Sequence, residues 1–583
     1  MKEQLLTALE NTIEALKSDG FLPDDCAPKI SVEPTKDPSH GDLATNLALV
    51  LAKPAKKAPR QVAKAIVEKL QALDWIDSID IAGPGFINFF LKAQAQFSAV
   101  EQVLSAKEQY GRSQIGQGKK VQVEFVSANP TGPLHVGHGR GAAYGASVSD
   151  LLAAVGYQVE REYYVNDAGR QMDILAASSW LRYLALFDQE FPFPANAYQG
   201  DYVINDIAEP LKVEHGDALV IGTKQWRDGL PKDEPEGGDK EQFIDAVIES
   251  AKKHLGEARY RVVFDKALNV VLDDIRDDLS EFNVRFEQWF SERSLTEKNE
   301  VEAALQRLDE KGFLYEKNGA IWFKSTDFGD DKDRVVKRDN GQTTYFASDI
   351  AYHANKFDRG YDRVINVWGA DHHGYIARVK AALSALGYAP EKLDILLVQF
   401  AILYRGSERV QMSTRSGSFV TLRELREDIS NDAARFFYVM RKSDQHMDFD
   451  LELATLQTKD NPLYYIQYAH ARICSLLEKA QAENLPSDSV DLELLTLDSE
   501  KTLAKALGQF PDAVQQAAEH YAPHQLTHYL FDLAKDFHSY YNAQKMMSRN
   551  AALSSARLTL SQAVAQVIKN GLGLLGVDAP TSM

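Results

Sequence analysis

The chain is poor in cysteine. Cys26 and Cys474 are the only two among 583 residues, which excludes a disulfide framework and a thiolate-rich zinc site. No run of about 18 uninterrupted apolar residues occurs, and Met1-Lys2-Glu3-Gln4-Leu5-Leu6 opens a charged amphipathic pattern rather than a signal-peptide core. A reducing, cytoplasmic setting away from membranes is expected. Low-complexity sequence is also missing. With 44% hydrophobic and 26% charged residues the chain has the balance of a folded globular protein. Its length, at roughly 150 residues per domain, suggests three or four domains. Net positive charge is missing too: 84 acidic against 65 basic side chains leave −19, and a nucleic-acid partner ordinarily demands a basic footprint.

Mapping the charge weakens that objection. Residues 1–120 are neutral, whereas 201–300 carry 24 acidic and 14 basic residues. Lys53, Lys56, Lys57, Arg60 and Lys64 form a basic run with no acid between them. A solvated face is the commoner reading of such a run, and a phosphate-contacting patch the rarer one.

Apolar spacing then divides the chain. Residues 1–115 read as an α+β domain, opened by a helix with Leu5, Leu9, Ile13 and Leu16 on one face. A βαβ unit follows over 116–190, with a strand at Val121–Phe125, a helix from about His135 to Val155 and a strand at Tyr157–Val165. Residues 191–330, rich in Pro, Gly and acid, read as an insertion. A second α/β half resumes over 331–450, with strands at Val364–Trp368 and Ile395–Ile402. Residues 451–583 read as an all-α bundle, with Ile466, Ala469, Ile473, Leu476 and Leu477 forming an apolar stripe. The expected class is an α/β, Rossmann-like nucleotide-binding domain interrupted by an insertion and flanked by an α+β and a helical domain.

The sharpest motif is Ser127-Ala128-Asn129-Pro130-Thr131-Gly132-Pro133-Leu134-His135-Val136-Gly137-His138-Gly139. Two histidines three apart share one face at a helix start, where free N–H groups and the helix dipole favour a polyphosphate. Gly137 leaves room for a flat base to approach the backbone. A metal pair or buried structural histidines are the alternatives; metal would need further ligands, and no matching cluster accompanies them.

This motif resembles the first signature of class I aminoacyl-tRNA synthetases, in the form found in arginyl-tRNA synthetases. A second signature is recognisable at Gln411-Met412-Ser413-Thr414-Arg415-Ser416-Gly417, and Asn461-Pro462-Leu463-Tyr464-Tyr465-Ile466-Gln467-Tyr468-Ala469-His470-Ala471-Arg472 also resembles that family. The likeness covers nearly the whole chain. It implies a ligase that joins arginine to ATP as an adenylate and passes it to the terminal adenosine of tRNA(Arg). The partners implied are tRNA(Arg), L-arginine and ATP, with Mg²⁺ travelling with ATP and no zinc; a monomer is expected.

The same resemblance implies roles for particular residues. His135, His138 and Arg415 would be catalytic, and Pro130, Gly132, Gly137, Met412 and Ser413 would join the two histidines around ATP. The general class places two lysines around Met-Ser; here Gln411 and Thr414 stand there, leaving Arg415, or else Lys119 or Lys120, as the cation for pyrophosphate. Glu124, Ser127 and Asn129 would bind the α-amino end of arginine, and Tyr345 and Asp349 the guanidinium. Asp371 lies at a strand's carboxyl end. Tyr345 and Asp349, at i and i+4, share a helical face; each has a bland alternative, a core aromatic and a helix-start acid. His372-His373 point in different directions and are not read as zinc ligands. Contacts to tRNA are assigned to Lys53, Lys56, Lys57, Arg60, Tyr464, Tyr468 and Arg472, although an aromatic helix core is the commoner origin of the last group. The competing readings are a class I synthetase for another amino acid such as lysine, a non-catalytic synthetase-like RNA-binding protein, and a small nucleotidyltransferase.

Overall fold

A computed structural model describes residues 2–35, 37–70, 73–406, 408–410, 420–483 and 490–583. The chain forms two compact units. One comprises Met1–Tyr110, Arg472–Gln509 and Lys535–Val567, the other Gly111–Ala471, Phe510–Ala534 and Ile568–Met583.

In the first unit the helix Lys2–Ser18 buries Leu5, Leu9, Ile13 and Leu16, the face read from the sequence, against a four-stranded sheet and the helix Pro59–Lys69. The helix Leu47–Ala55 ends at Lys56, whose φ of 51° closes it in the left-handed region. The turn into the next helix leaves Lys53, Lys56, Lys57, Arg60 and Lys64 exposed. Arg60 is partly engaged, donating to the Ile81 and Gly83 carbonyls.

The second unit is built on a five-stranded parallel sheet in the order Leu393–Val398, Arg363–Gly369, Lys120–Glu124, Gln158–Val165, Gln288–Ser291. The chain enters at the central strand, builds outward on one side through 158–165 and 288–291, then returns to build on the other. The order therefore reverses between Lys120–Glu124 and Arg363–Gly369, and ligands of such sheets bind at that crevice, beyond the strand carboxyl ends. Both faces are covered, so Val121, Gln122, Val123 and Glu124 are all buried.

Two features differ from the sequence reading. The stretch read as insertion contributes the edge strand Gln288–Ser291 to this sheet, a segment of four residues too short for periodicity to reveal. The strand expected over Ile395–Ile402 is two: Leu393–Val398 in the parallel sheet, and Ala401–Arg405 paired with Met447–Asp450 in another. The break has an identifiable cause. Arg140, almost wholly buried, donates to the carbonyls of Gln399, Lys442 and Gln445, each at 2.8 Å, while Gln399 N–H bonds Ser443 O. These bonds draw the chain out of the first sheet at Gln399. From Pro462 to the end the described elements are helical, and Ile466, Ala469, Ile473 and Leu476 of the expected stripe are buried.

Candidate active site

The Lys120–Glu124 strand ends in backbone that few residues adopt. Val126 and Ser127 have φ of 66° and 42°, a region that costs non-glycine residues about 1–3 kcal/mol each. The bend brings the Ser127 hydroxyl back over the strand end. There it donates to Glu124 Oε1 at 3.0 Å and accepts the Tyr164 N–H at 3.1 Å. The following turn is fixed from two sides, by Tyr163 hydroxyl on Ala128 O at 2.9 Å and Tyr202 hydroxyl on Thr131 O at 2.5 Å.

The turn delivers His135 to the N-cap of the helix Val136–Ala154. Its Nδ1 accepts the Gly137 N–H at 3.1 Å, His138 Nδ1 accepts the His135 N–H at 3.3 Å, and the two rings stack with centroids 3.8 Å apart. Because Nδ1 accepts on both rings, the neutral tautomer carries its proton on Nε2. Burial holds His135 below its ordinary value; burial, then the neighbouring ring, pushes His138 down to about 3. Near pH 7 both are neutral donors at an anion-favouring helix end. A Cβ on Gly137 would stand 2.8 Å from the His135 ring and 3.6 Å from Phe400. Glycine is thus required there by the way His135 folds back.

Met412, Ser413 and Arg415 lie outside the described residues. The segment directly after them is bound to the first signature: Leu422 N–H bonds Leu134 O at 2.8 Å and Val136 N–H bonds Val420 O at 3.2 Å. The turn holding Pro130 and Gly132 and the chain leaving the second signature thus meet at His135.

A second cluster is acidic. Burial raises the Tyr164 hydroxyl above its ordinary range, and the nearby carboxylates of Glu292, Asp349 and Glu124 raise it further. Asp349, on the helix Tyr345–Asp358, accepts the Tyr375 hydroxyl on Oδ2. Burial, with Glu292 and Glu124 adding repulsion and Tyr375 opposing it, pushes Asp349 up to about 7. Glu292 follows the edge strand Gln288–Ser291; burial pushes it, too, up to about 7, and its Oε2 is sealed from solvent without a hydrogen-bond partner. A buried acceptor left unpaired beside two other carboxylates could satisfy a cation with several N–H donors.

Glu124 is 7% exposed and also accepts Lys356 Nζ on Oε2 at 2.5 Å. The other residues singled out from sequence are placed differently. Tyr345 is 61% exposed at the helix start, one turn before Asp349. Asn129 is exposed and bonded to Gln171 and Asn166. Asp371 is exposed with its Oδ2 3.7 Å from His372 Nε2. In the helix Pro462–Ala482, Tyr464 stacks on Tyr468 at 5.8 Å, and Arg472 bonds His538 and lies over the Tyr541 ring. Sequence reasoning missed Glu292, Tyr375 and Lys356. The aromatic run Phe286, Trp289, Phe290 just before Glu292 is the one signal that could have marked a strand end there.

Family models match most of the chain. The model of the arginyl tRNA synthetase N terminal domain matches residues 3–91, that of the class I (R) tRNA synthetase catalytic domain 99–184 and 239–455, and that of the DALR anticodon binding domain 466–583. An arginine–tRNA ligase of Thioalkalivibrio sulfidiphilus is 62% identical and one of Hydrogenovibrio crunogenus 55%, each aligned over 100% of both chains. Among solved structures, a putative arginyl-tRNA synthetase of Campylobacter jejuni has a TM-score of 0.72 at 32% identity, covering 85% of this chain and 100% of that one. The Thermus thermophilus arginyl-tRNA synthetase shares the fold, with a TM-score of 0.74 at 23% identity over 100% of both. A parallel sheet with its signature turn at the switch point, continued by a helical anticodon-binding region, is the build of these enzymes, and the chain belongs to the arginine–tRNA ligase family.

Proposed function

We propose that this chain activates L-arginine with ATP and transfers it to the terminal adenosine of tRNA(Arg), with the acidic cluster selecting the amino acid and the paired histidines receiving the nucleotide. The observation that carries the reading is the buried, unpaired Glu292 Oε2 in company with Glu124 and Asp349, the three carboxylates lying close to Tyr164. Arginine brings two cationic groups, and its planar guanidinium offers five N–H donors. Asp349 and the unpaired Glu292 Oε2 are its acceptors, and Glu124 with Ser127 takes the α-ammonium. Lysine, with one compact ammonium, would leave part of this buried acceptor set unmatched, which argues against that specificity.

ATP enters with Mg²⁺ as substrate. His135 and His138 donate through Nε2 to its phosphates, beside the turn of Pro130, Gly132 and Gly137; Met412, Ser413 and Arg415 complete the nucleotide site. Adenylate formation needs charge stabilisation and positioning, not a covalent nucleophile. Asn129, Tyr345 and Asp371 contact substrate at the rim. Lys53, Lys56, Lys57 and Arg60 meet the tRNA backbone, and Tyr464, Tyr468 and Arg472 belong to the helices that meet its anticodon region. The protein works as a cytoplasmic monomer; no helix among the described residues is long and apolar enough to cross a membrane. The test is ATP–pyrophosphate exchange with each amino acid, with and without tRNA. Exchange only with arginine is expected; equal exchange with lysine, or none with arginine in the presence of tRNA, would overturn the reading.

A further inference from the structure

Beneath the acidic cluster lies a cation with no exposure at all. Lys356 is 0% exposed, yet its ammonium is saturated: it donates to Glu124 Oε2 at 2.5 Å and Asn366 Oδ1 at 2.7 Å, and lies 4.4 Å from the Tyr352 ring centroid. A buried lysine is tolerated only when paired and hydrogen-bonded in this way.

The orientation of every group behind it is fixed. His353 Nδ1 faces the Asp349 carbonyl at 2.8 Å and therefore carries the proton; His353 Nε2 then accepts from Asn366 Nδ2 at 2.8 Å. With its Nδ2 committed, Asn366 must turn Oδ1 toward Lys356. Burial, reinforced by Lys356, drives His353 down to about 3, so this tautomer stays neutral. Asp349, Tyr352, His353 and Lys356 fall at i, i+3, i+4 and i+7 on one helix face. Asn366 is paired in register with Glu124 across the sheet. One polar chain thus runs from the backbone of Asp349 to the carboxylate of Glu124.

We propose that Lys356 is a positioning residue for the amino-acid substrate: by holding one oxygen of Glu124 it keeps that carboxylate aimed into the pocket, ready for the α-ammonium of arginine. This rests on the assignment of Glu124 to the α-ammonium given above. The charged and titratable groups facing the pair are Glu162 and Tyr164 from one neighbouring strand, Asp349, Tyr352 and His353 from the helix, and Glu292 beyond the edge strand. Glu162 is already committed to Tyr352 and Arg359. Lys356 is the cation bound directly to Glu124, and it fixes Oε2 while the Ser127 hydroxyl holds Oε1.

The test is calorimetric titration of arginine into the full-length protein for wild type, Lys356→Met, Glu124→Gln and the double variant, with the KM for ATP measured alongside. Lys356→Met is expected to weaken arginine binding about tenfold while the KM for ATP stays within about twofold. Added to Glu124→Gln, the lysine change should cost no more than about twofold, as it must if Lys356 acts through Glu124. If Lys356→Met does not fold, this comparison still decides, since the double variant buries no unpaired charge. Wild-type arginine affinity in Lys356→Met, or an equal loss in both backgrounds, overturns the proposal. Unchanged arginine binding by Glu124→Gln overturns the assignment of Glu124 itself, and the proposal with it.

Discussion

Arginine affinity should rise steeply with pH through neutrality, because the carboxylates proposed to receive the guanidinium take up protons as pH falls through about 7 in the free protein. Asp349 and Glu292 both stand near 7, raised chiefly by burial. A guanidinium is charged at every working pH and draws both toward the ionised form. Between pH 8 and pH 6 the KM for arginine should therefore climb about tenfold if one proton must leave and about a hundredfold if two must, at 1.36 kcal/mol per pK unit. Steady-state aminoacylation at saturating ATP and tRNA measures this directly. Glu292→Gln or Asp349→Asn removes one titrating group, so each should raise the KM for arginine and flatten the remaining slope by about one proton while leaving the KM for ATP nearly unchanged. The linked stability has a definite sign. A carboxylate whose folded pKa exceeds its unfolded value holds a proton that the unfolded chain has released, so its contribution to stability falls as pH climbs from about 4 to 7. Arginine reverses that loss and should raise Tm more at pH 8 than at pH 6. A KM for arginine that is flat from pH 6 to 8, or that moves in parallel with the KM for ATP, would refute the argument.

Gly137→Ala forces a Cβ to 2.8 Å from the His135 ring; kcat for adenylation should fall at least about tenfold with Tm lowered by only a few degrees, and a wild-type kcat would show that His135 need not fold back. Arg415→Ala should lower the pyrophosphate-exchange rate far more than arginine affinity, and an unchanged rate would shift the role to another cation. Replacing Lys53, Lys56 and Lys57 by alanine should weaken tRNA binding and reduce the slope of log affinity against log salt by about one for each phosphate no longer neutralised; an unchanged slope would leave that exposed run as a solvated face.

The sequence made the contiguous parts legible. The signature turn Ser127–Gly139 shows itself because its prolines, glycines and histidines are neighbours in the chain, and the helix face of Leu5, Leu9 and Ile13 because 3.6-residue spacing survives without context. Glu292 was invisible for the opposite reason. It reaches the pocket only through sheet pairing with Tyr164's strand, more than 120 residues away, behind a strand of four residues inside an acid-rich stretch. The break at Gln399 is likewise imposed by Arg140, a partner more than 250 residues upstream. Nothing in the sequence singles out Lys356; its role comes from Glu124 and Asn366, brought to it by the fold, Glu124 from 232 residues away.

Net charge looks different once the acids are sorted by what they touch. Part of the excess in 201–300 is internally matched: Asp274 and Asp277 pair with Arg423, and Asp278 and Glu281 with Arg426, at 2.5 to 3.3 Å. Other acids lie deep in the fold, Glu124 and Glu292 buried and Asp349 half-buried, where the interactions of a carboxylate are worth more than in solvent. The five exposed cations between Lys53 and Lys64 belong to the other compact unit. One uniform field cannot suit both cationic arginine and the anionic ATP and tRNA. The sum of −19 therefore does not decide whether RNA binds. What decides it is whether positive charge is concentrated somewhere on the surface, and the exposed run from Lys53 to Lys64 is such a place.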